Sequence, residues 1–441
     1  MSHRRFVLSG ALVLAAVTAA SCASPGSQRE PQQAGATAST VTLAVPSGRG
    51  GAPFDQRRTV VVPAGWKMSV WARLDAPRLA LWTPDRRMLV SRPGHGDVVS
   101  LSGLTASAPV QKTLISGLRQ PHGLAMRGST LYVAESNRVD TYTYSNGSVG
   151  PRQTLIDGLP DSSTPELGGQ YAHALKSVAV AADGTVYVSV GSTGNVSVND
   201  RTASPERATI LRWSPATRKL DVFARGVRNG TGLAIDPAGA VWTAVNNRDQ
   251  IAYPFNYDYD GDGSNDYGKV MQSYVNDHPM EALAKLTPGR DLGWPYCQPN
   301  PDVNPGKRTT AFDYSNRNFH RDMQLNPTGS KLDCAKLPAL EAGFPAHSAP
   351  LGLSFATVSG LGTVALVGTH GSWNRNPPRK PTVTSFTWAN GKLGEARTLV
   401  MGFQNADGSR WGRPVAAVRG ADGAIYITDD AADAVYRLAR A

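Results

Sequence analysis

The chain has 441 residues and a formal net charge of +11, and its 45 Gly and 31 Pro residues are spread along its whole length. This composition is typical of many short strands joined by turns. The Lys and Arg residues form no long run and no basic helix, which argues against a nucleic-acid partner. The charge instead favours a mildly cationic surface with a pocket for an anionic ligand.

The N-terminus carries an export signal. Two arginines precede an apolar run over residues 6–17, which is too short to cross a membrane as a stable helix. Small residues then lead to Cys22, a pattern that resembles a bacterial lipobox with an acylated cysteine. We predict a lipoprotein signal peptide over residues 1–21 and a flexible tether over 22–55, with the protein exported and held at the cell membrane by its lipid alone. An ordinary signal peptide with an incidental cysteine is the alternative.

Two further cysteines, Cys297 and Cys334, remain once Cys22 is assigned to a lipid. In the oxidising environment outside the cytoplasm, an isolated pair of thiols favours one disulfide. Neither cysteine has a second ligand at close spacing, so a metal or redox role is not expected.

A short unit repeats six times along the chain. Each copy has a strand, a turn with Gly or Asp, and a second strand rich in β-branched and aromatic residues. The second strands begin at Met88, Leu131, Val186, Val241, Val364 and Ile425. A period of about 40–60 residues is typical of propeller blades.

The longest interval between copies, from the fourth hairpin to the fifth, holds an insertion over about residues 250–345. We therefore predict an all-β fold in which residues 56–441 form one six-bladed β-propeller, as a monomer or weak dimer. A seventh blade hidden inside the insertion is the alternative.

Propeller geometry gathers distant residues at one end of the ring. The segment before each innermost strand and the loop after each second strand lie at the same rim. Polar and imidazole groups fall repeatedly in these places, at His122, His173, Arg228, Asn229, His347, His370, Arg375 and Arg413. Such a convergence predicts a polar binding site for an anionic or polyhydroxy ligand.

Several segments resemble the glucose/sorbosone dehydrogenase family. The most specific are Arg228-Asn229 and Gly293-Trp294-Pro295, and residues 246–249, 347–352 and 370–375 are also similar. The resemblance runs from about residue 60 to the C-terminus. It implies a six-bladed propeller that binds pyrroloquinoline quinone (PQQ) and Ca²⁺ and oxidises a sugar at its anomeric carbon.

The resemblance also implies roles for individual residues. His173 is similar to the family's general base, and an imidazole that titrates near neutrality suits this task. Arg228, Asn229 and Arg413 match residues that contact the quinone, whose carboxylates require planar bidentate donors. Arg375 or Lys176 takes the place of a cofactor-binding lysine, and His122 and His370 are further candidates for ligand contact.

Two calcium sites are expected. The backbone carbonyls of Asn247 and Arg248 match the family's loop for the cofactor's Ca²⁺, a hard ion that takes oxygen ligands. A separate loop inside the insertion resembles the first part of an EF-hand, with carboxylates at alternate positions and a Gly for the turn. Its candidate ligands are Asp258, Asp260, Asp262 and Asp266.

Two departures keep other functions open. Ser192 stands where sugar dehydrogenases carry an Asp that orients the base, and Val415 replaces the second Arg of an Arg-x-Arg cofactor motif. One alternative is a propeller lipoprotein without cofactor that binds sugars or acts as a scaffold. The other is a Ca²⁺-dependent lactonase, which requires metal-binding carboxylates deep in the channel, and Glu135 is the only Glu expected at the rim.

Overall fold

The computed structural model describes residues 38–104, 108–307 and 310–441. The predicted signal peptide and Cys22 lie outside these ranges. The described residues form six largely antiparallel sheets, arranged as the blades of a propeller, and one separate two-stranded ribbon, which confirms the predicted fold. None of their helices is long and apolar enough to cross a membrane.

The blades are numbered here in the chain order of their innermost strands, and each blade is written from the centre outward. Blade 1 consists of Ala80–Trp82, Met88–Arg92, Asp97–Ser102 and Val110–Ile115. Blade 2 consists of Gly123–Arg127, Thr130–Ala134 and Val139–Ser145, with Gln153–Ile156 and Ser148–Val149 at its edge. Blade 3 consists of Val178–Val180, Val186–Val190, Thr209–Trp213, Leu220–Arg225 and a short parallel strand, Arg290–Asp291.

The remaining three blades are less regular. Blade 4 consists of Gly232–Ile235, Val241–Val245, Glu281–Leu286, Leu340–Phe344 and Ser315–Arg317. Blade 5 consists of Pro350–Val358, Gly362–Thr369, Thr382–Ala389, Lys392–Met401, Thr59–Pro63 and Ala38–Thr42. Blade 6 consists of Pro414–Arg419, Ile425–Asp429, Ala434–Arg440 and Trp66–Arg73.

The ring closes by pairing the two ends of the chain. In blade 6 the N-terminal strand Trp66–Arg73 pairs antiparallel with the C-terminal strand Ala434–Arg440. The segment before it also belongs to the propeller, because Ala38–Thr42 pairs with Thr59–Pro63 on the outer side of blade 5. Residues 38–42, which the sequence assigned to the flexible tether over 22–55, are instead a paired edge strand of blade 5.

The predicted insertion also contains part of a blade. Residues 246–280 connect the second and third strands of blade 4, and residues 287–339 connect its third and fourth strands. Three strands of blade 4, Glu281–Leu286, Ser315–Arg317 and Leu340–Phe344, thus lie within the range of 250–345 that the sequence assigned to one insertion, as does the short edge strand of blade 3. The connections hold the helix Gln272–Val275, the 3₁₀ turn Cys334–Lys336 and a small ribbon of Cys297–Pro299 with Phe319–Arg321.

The core is divided among the spaces between neighbouring blades. Each second strand is buried on both faces, so alternate side chains pack into different spaces. Val241 and Val245 pack toward blade 3, whereas Trp242 and Ala244 pack toward blade 5. Similar clusters fill the other spaces between blades, and together they fix the blades rigidly around the channel.

Cys297 and Cys334 form the predicted disulfide, with 37 residues of separation between them. We expect replacement of both by Ser to lower the free energy of unfolding by about 3–4 kcal/mol, because the unfolded chain regains the entropy of an open loop. Chemical denaturation of the variant beside the oxidised and reduced wild-type protein measures this change. A loss below about 1 kcal/mol would contradict the expected contribution.

Candidate active site

Polar contacts join all six blades at the end of the propeller where the innermost strands begin. We call this end the rim. Each neighbouring pair of blades is connected there by at least one hydrogen bond or ion pair. The contacts are Ser91 to His122, His122 to Lys176, Ser192 to Arg228, Asn246 to Pro350, His370 to Arg413, and Arg78 to Asp430. The segments that the sequence placed at one opening therefore form one ring.

His173 lies at the rim just before the innermost strand of blade 3. Its Nδ1 is 3.0 Å from the Ser192 carbonyl and 2.9 Å from the Ser192 hydroxyl. Donation of the Nδ1 proton to the carbonyl leaves a lone pair on Nε2, to which no described residue is bonded. Burial, with the positive charge of Arg228, lowers the pKa of His173 to about 3. The imidazole is consequently neutral near pH 7.

His173 and Asn229 are brought together by Gly191, which ends the second strand of blade 3. A Cβ on this glycine would lie 2.6 Å from the Cβ of His173 and 3.2 Å from Oδ1 of Asn229. Such contacts are too short to be tolerated, so the close approach of the two side chains requires a glycine between them.

Arg228 is held rigidly by carbonyl oxygens. Its Nε and Nη2 donate to the main-chain carbonyl and the side-chain Oδ1 of Asn195, at 3.3 and 3.1 Å, and its Nη1 donates to the Asn246 carbonyl at 3.2 Å. The residue is only 6% exposed, and burial lowers the pKa of its guanidinium. It forms no ion pair with any described residue. Asn195, which the sequence did not single out, is the residue that orients it.

Arg413 lies before the innermost strand of blade 6 and is half-buried. Its Nε donates to the His370 carbonyl at 3.3 Å, and its terminal nitrogens are bonded to no described residue. The nearby Asp430 does not pair with it, because this carboxylate contacts Arg78 at 2.5 Å and His370 at 3.1 Å. The rim thus holds a second guanidinium without a carboxylate partner among the described residues.

The side chain of Asp429 holds the backbone of Arg413 in place. This fully buried carboxylate accepts hydrogen bonds from the Arg413 and Ala432 amides and from the Tyr436 hydroxyl. Burial raises the pKa of Asp429 to about 7, above its value in an unfolded chain. The protonated Asp429 therefore contributes its full share to the free energy of unfolding in acid, below the pKa that it has in the unfolded chain. This contribution is lost as the pH rises through about 7.

We expect Asp429→Asn to remove this pH dependence. Melting temperatures of the wild-type protein and the variant are measured from pH 5 to pH 8. The melting temperature of the variant should rise relative to that of the wild-type protein as the pH increases. The exposed Asp221→Asn serves as a control. Parallel curves for D429N and the wild-type protein would show that the buried carboxyl does not titrate in this range.

Two of the predicted cofactor ligands are occupied within the protein. Lys176 is fully buried, and its ammonium donates to the carbonyls of Pro160 and Ala174 at 2.8 and 2.6 Å. Burial lowers the pKa of Lys176 to about 7. It has no exposed surface for a ligand, so the structure assigns it to support of the segment that carries His173.

Arg375 is similarly occupied. Its Nε donates to the Asn276 carbonyl at 3.1 Å, its Nη1 to the Pro377 carbonyl at 2.6 Å, and its Nη2 contacts Asp277 at 3.3 Å. Unlike Arg228, Arg375 has a carboxylate partner inside the protein, so its charge is offset by Asp277 and it braces its loop against the insertion. The prediction that Arg375 or Lys176 replaces a cofactor-binding lysine is not supported by this arrangement.

His122 and His370 are both buried at the rim. Nδ1 of His122 is 3.3 Å from the Lys176 carbonyl, and its buried Nε2 has no partner among the described residues. Burial lowers the pKa of His122 to about 3 and that of His370 to about 4. Both imidazoles are therefore neutral near pH 7. His122, like Lys176, has no exposed surface for a ligand, and His370 has little.

The loop after the second strand of blade 4 contacts a buried carboxyl that the sequence did not single out. The Asn247 amide donates to Glu281 at 2.5 Å, and burial raises the pKa of Glu281 to about 7. The carbonyls of Asn247 and Arg248 accept no hydrogen bond from the described residues. The Arg248 side chain pairs with Asp322 inside the insertion. Glu281 lies in a strand, where the sequence carries no signal of function.

His347 and Asp249 form a second polar pair beside Arg228. Nδ1 of His347 is 2.9 Å from the Asp249 carboxylate, and its Nε2 donates to the Val275 carbonyl at 2.6 Å. The pKa of His347 is raised, because its hydrogen bonds to Asp249 and Val275 outweigh the effect of burial. Both ring nitrogens are engaged inside the protein, so His347 braces the rim.

The acidic loop of the insertion brings together three of its four predicted ligands. Carboxylate oxygens of Asp258, Asp260 and Asp262 lie within 4.8 Å of one another. Asp266 points elsewhere, since it accepts from the Tyr259 and Asp260 amides and pairs with Lys269 at 2.9 Å. The carboxylates of Asp258 and Asp262 also accept amides of their own loop.

The fold and the rim define a propeller of the class to which the PQQ-dependent sugar dehydrogenases belong. A family model described as TrAA12-like matches residues 60–441. The chain therefore belongs to the TrAA12-like family, and the resemblance inferred from its motifs is supported.

Individual relatives are distant. An uncharacterized protein of Borreliella burgdorferi is 24% identical over 86% of this chain and 90% of that protein. The pyrroloquinoline quinone-dependent pyranose dehydrogenase of Coprinopsis cinerea is 25% identical over 88% of this chain, which spans only 56% of that enzyme's length. The solved structure of the holo form of its PQQ domain superposes with a TM-score of 0.70 at 20% identity, covering 90% of this chain and all of that domain. This likeness shows the shared fold.

Proposed function

We propose that this protein is a quinoprotein sugar dehydrogenase that oxidises an aldose or related sugar at its anomeric carbon, with PQQ as the hydride acceptor and His173 as the general base. One observation carries the proposal. Two guanidinium groups, of Arg228 and Arg413, have no carboxylate partner at a rim where His173 keeps a ring nitrogen free. An unpaired cation is costly to bury, so the arrangement favours an anionic ligand.

The residues at the rim fit a tricarboxylated quinone. Arg228 and Arg413 offer planar donors for carboxylates, and Asn229 offers an amide beside His173. When bound, PQQ accepts the hydride that leaves the anomeric carbon of the sugar.

His173 would take the proton from the anomeric hydroxyl. The Ser192 carbonyl accepts from Nδ1 and so selects the tautomer with a basic Nε2. A main-chain oxygen can therefore perform the orienting role that an Asp has in sugar dehydrogenases, which accounts for Ser192 at this position. An anion on Arg228 would offset part of the positive charge that lowers the pKa of His173, making the imidazole a stronger base.

Calcium would be held by the loop beside Arg228. The free carbonyls of Asn247 and Arg248 are hard oxygen ligands of the kind that Ca²⁺ prefers. The export signal would place the reaction outside the cytoplasm, with Cys22 carrying the lipid. Labelling of cells with an alkyne fatty acid tests the anchor, since Cys22→Ala should abolish the label.

The lactonase alternative has little support. The residues that line the channel come from the innermost strands and include Leu79, Leu124, Ser177, Thr231, Leu353 and Ala417. No carboxylate is among the described residues of this lining. Glu135 is fully buried and pairs with Arg138 at 3.0 Å, so it is not available to a metal in the channel.

Reconstitution tests the proposal. Purified protein is mixed with PQQ and Ca²⁺, and dye reduction is followed across a panel of aldoses. We expect reduction that requires both PQQ and a sugar. Sugar binding without any dye reduction would instead support a cofactor-free binding module, and would contradict the dehydrogenase.

A further inference from the structure

The loop that follows the second strand of blade 5 presents a tryptophan to solvent. Trp373 is 80% exposed, more than any other large hydrophobic side chain among the described residues. An indole has a large apolar surface, and its burial is favourable. An indole that is held in an exposed position is therefore unusual and commonly marks a binding surface.

The exposure is not a consequence of a loose loop, because both flanks of Trp373 are held. On one side, the Ser372 amide donates to the Arg379 carbonyl at 3.2 Å, and the Arg379 amide donates to the Ser372 hydroxyl at 2.7 Å. On the other side, Gln250 donates to the Asn374 side chain at 3.2 Å, and the Asn376 amide donates to Asn276 at 3.0 Å. Arg375 adds its bonds to the insertion.

The same contacts place the loop that carries Trp373 between the two parts of the rim. His370, at the start of the loop, accepts from Arg413 through its carbonyl. On the other side, Asn374 accepts from Gln250, which follows Asp249 in the chain. The Asp249 amide donates to the Asn195 side chain, which also accepts from Arg228. The loop with the exposed indole is therefore joined to the segments that hold Arg228 and Arg413.

We propose that Trp373 forms a binding subsite for a pyranose ring of an oligosaccharide substrate, outside the position of the sugar that reacts. This inference rests on the proposed function, because it assumes that the reacting sugar lies at the rim beside His173. The apolar C–H face of a pyranose packs on an aromatic ring, and its hydroxyl groups stay in water. An exposed indole on a loop joined to the segments of Arg228 and Arg413 suits the second or third ring of a chain better than the first.

The test is binding to the full protein without PQQ, so that it is independent of dehydrogenase activity. Saturation-transfer NMR gives Kd values for glucose, cellotriose and maltotriose. We expect at least one trisaccharide to bind more tightly than glucose, and Trp373→Ala to weaken that trisaccharide by about tenfold. Trp373→Phe should retain most of the affinity, and glucose should change by less than about twofold.

The control is Val110→Ala, which removes another exposed apolar side chain from the outer strand of blade 1. It should leave every Kd unchanged. The proposal is overturned if neither trisaccharide binds more tightly than glucose, or if W373A binds them as the wild-type protein does. If this assay shows the subsite but the reconstituted protein reduces no dye, only the proposal of dehydrogenase activity is contradicted.

Discussion

Replacement of His173 by Ala is expected to lower kcat for sugar oxidation by about 10²–10⁴-fold, the usual contribution of a positioned general base. The affinity for PQQ should change little, since the imidazole accepts the substrate's proton and the guanidinium groups hold the cofactor's charge. Stopped-flow dye reduction with the reconstituted protein measures kcat, and a titration with PQQ measures the affinity.

His95→Ala is the matched control for this variant. His95 also follows a second strand at the rim, but it pairs with Asp75 at 2.8 Å and takes no part in the ring of contacts. The control should retain the wild-type kcat. If H173A keeps more than about a tenth of the activity, proton abstraction must be assigned to another group.

Replacement of Arg228 by Met is expected to weaken PQQ binding by about 30-fold or more, because removal of one partner from a buried charge pair costs about 2–5 kcal/mol. Arg228→Lys should also weaken it, since an ammonium keeps the charge but not the planar fork. Isothermal titration with PQQ and Ca²⁺ gives the affinities, and thermal melting shows whether each variant is folded.

Arg225→Met is the control for Arg228. Arg225 lies three residues earlier on the outer strand of blade 3, where it pairs with Glu206 at 2.9 Å on the protein surface. Its replacement should leave PQQ binding unchanged. Equal affinities for R228M and R225M would mean that the unpaired guanidinium at the rim does not hold the cofactor.

The hairpins of the six blades could be predicted because each is local in sequence. A strand, a turn and a second strand lie within about 20 residues, and turn residues punctuate them. The edge strand Ala38–Thr42 could not be predicted, because its pairing depends on Thr59–Pro63 and through it on Lys392–Met401. The outer strands of blade 4 were missed for a similar reason, since residues 246–280 and 287–339 separate them from their partners.

In the candidate site, too, features that depend on local sequence could be predicted, whereas contacts between distant segments could not. The position of His173 and Arg228 before an innermost strand is a property of the repeat, so the sequence could place them at the rim. The hydrogen-bond partners of a side chain, by contrast, are not a property of the repeat. Lys176 turns inward to the Pro160 carbonyl, and Arg375 turns to Asp277, because segments distant in sequence supply acceptors there. The support that Asn195 gives Arg228 is likewise visible only in the folded chain.

Groups that precede the innermost strands of blades 3, 4 and 6 are proposed to form one anion site at the rim. We predict that a crystal structure of the protein with PQQ and Ca²⁺ has the quinone there, with its carboxylates bonded to Arg228 and Arg413 and with His173 beside it. A quinone bound elsewhere on the propeller, or a saturated soak that leaves both guanidinium groups without an anion, would contradict it.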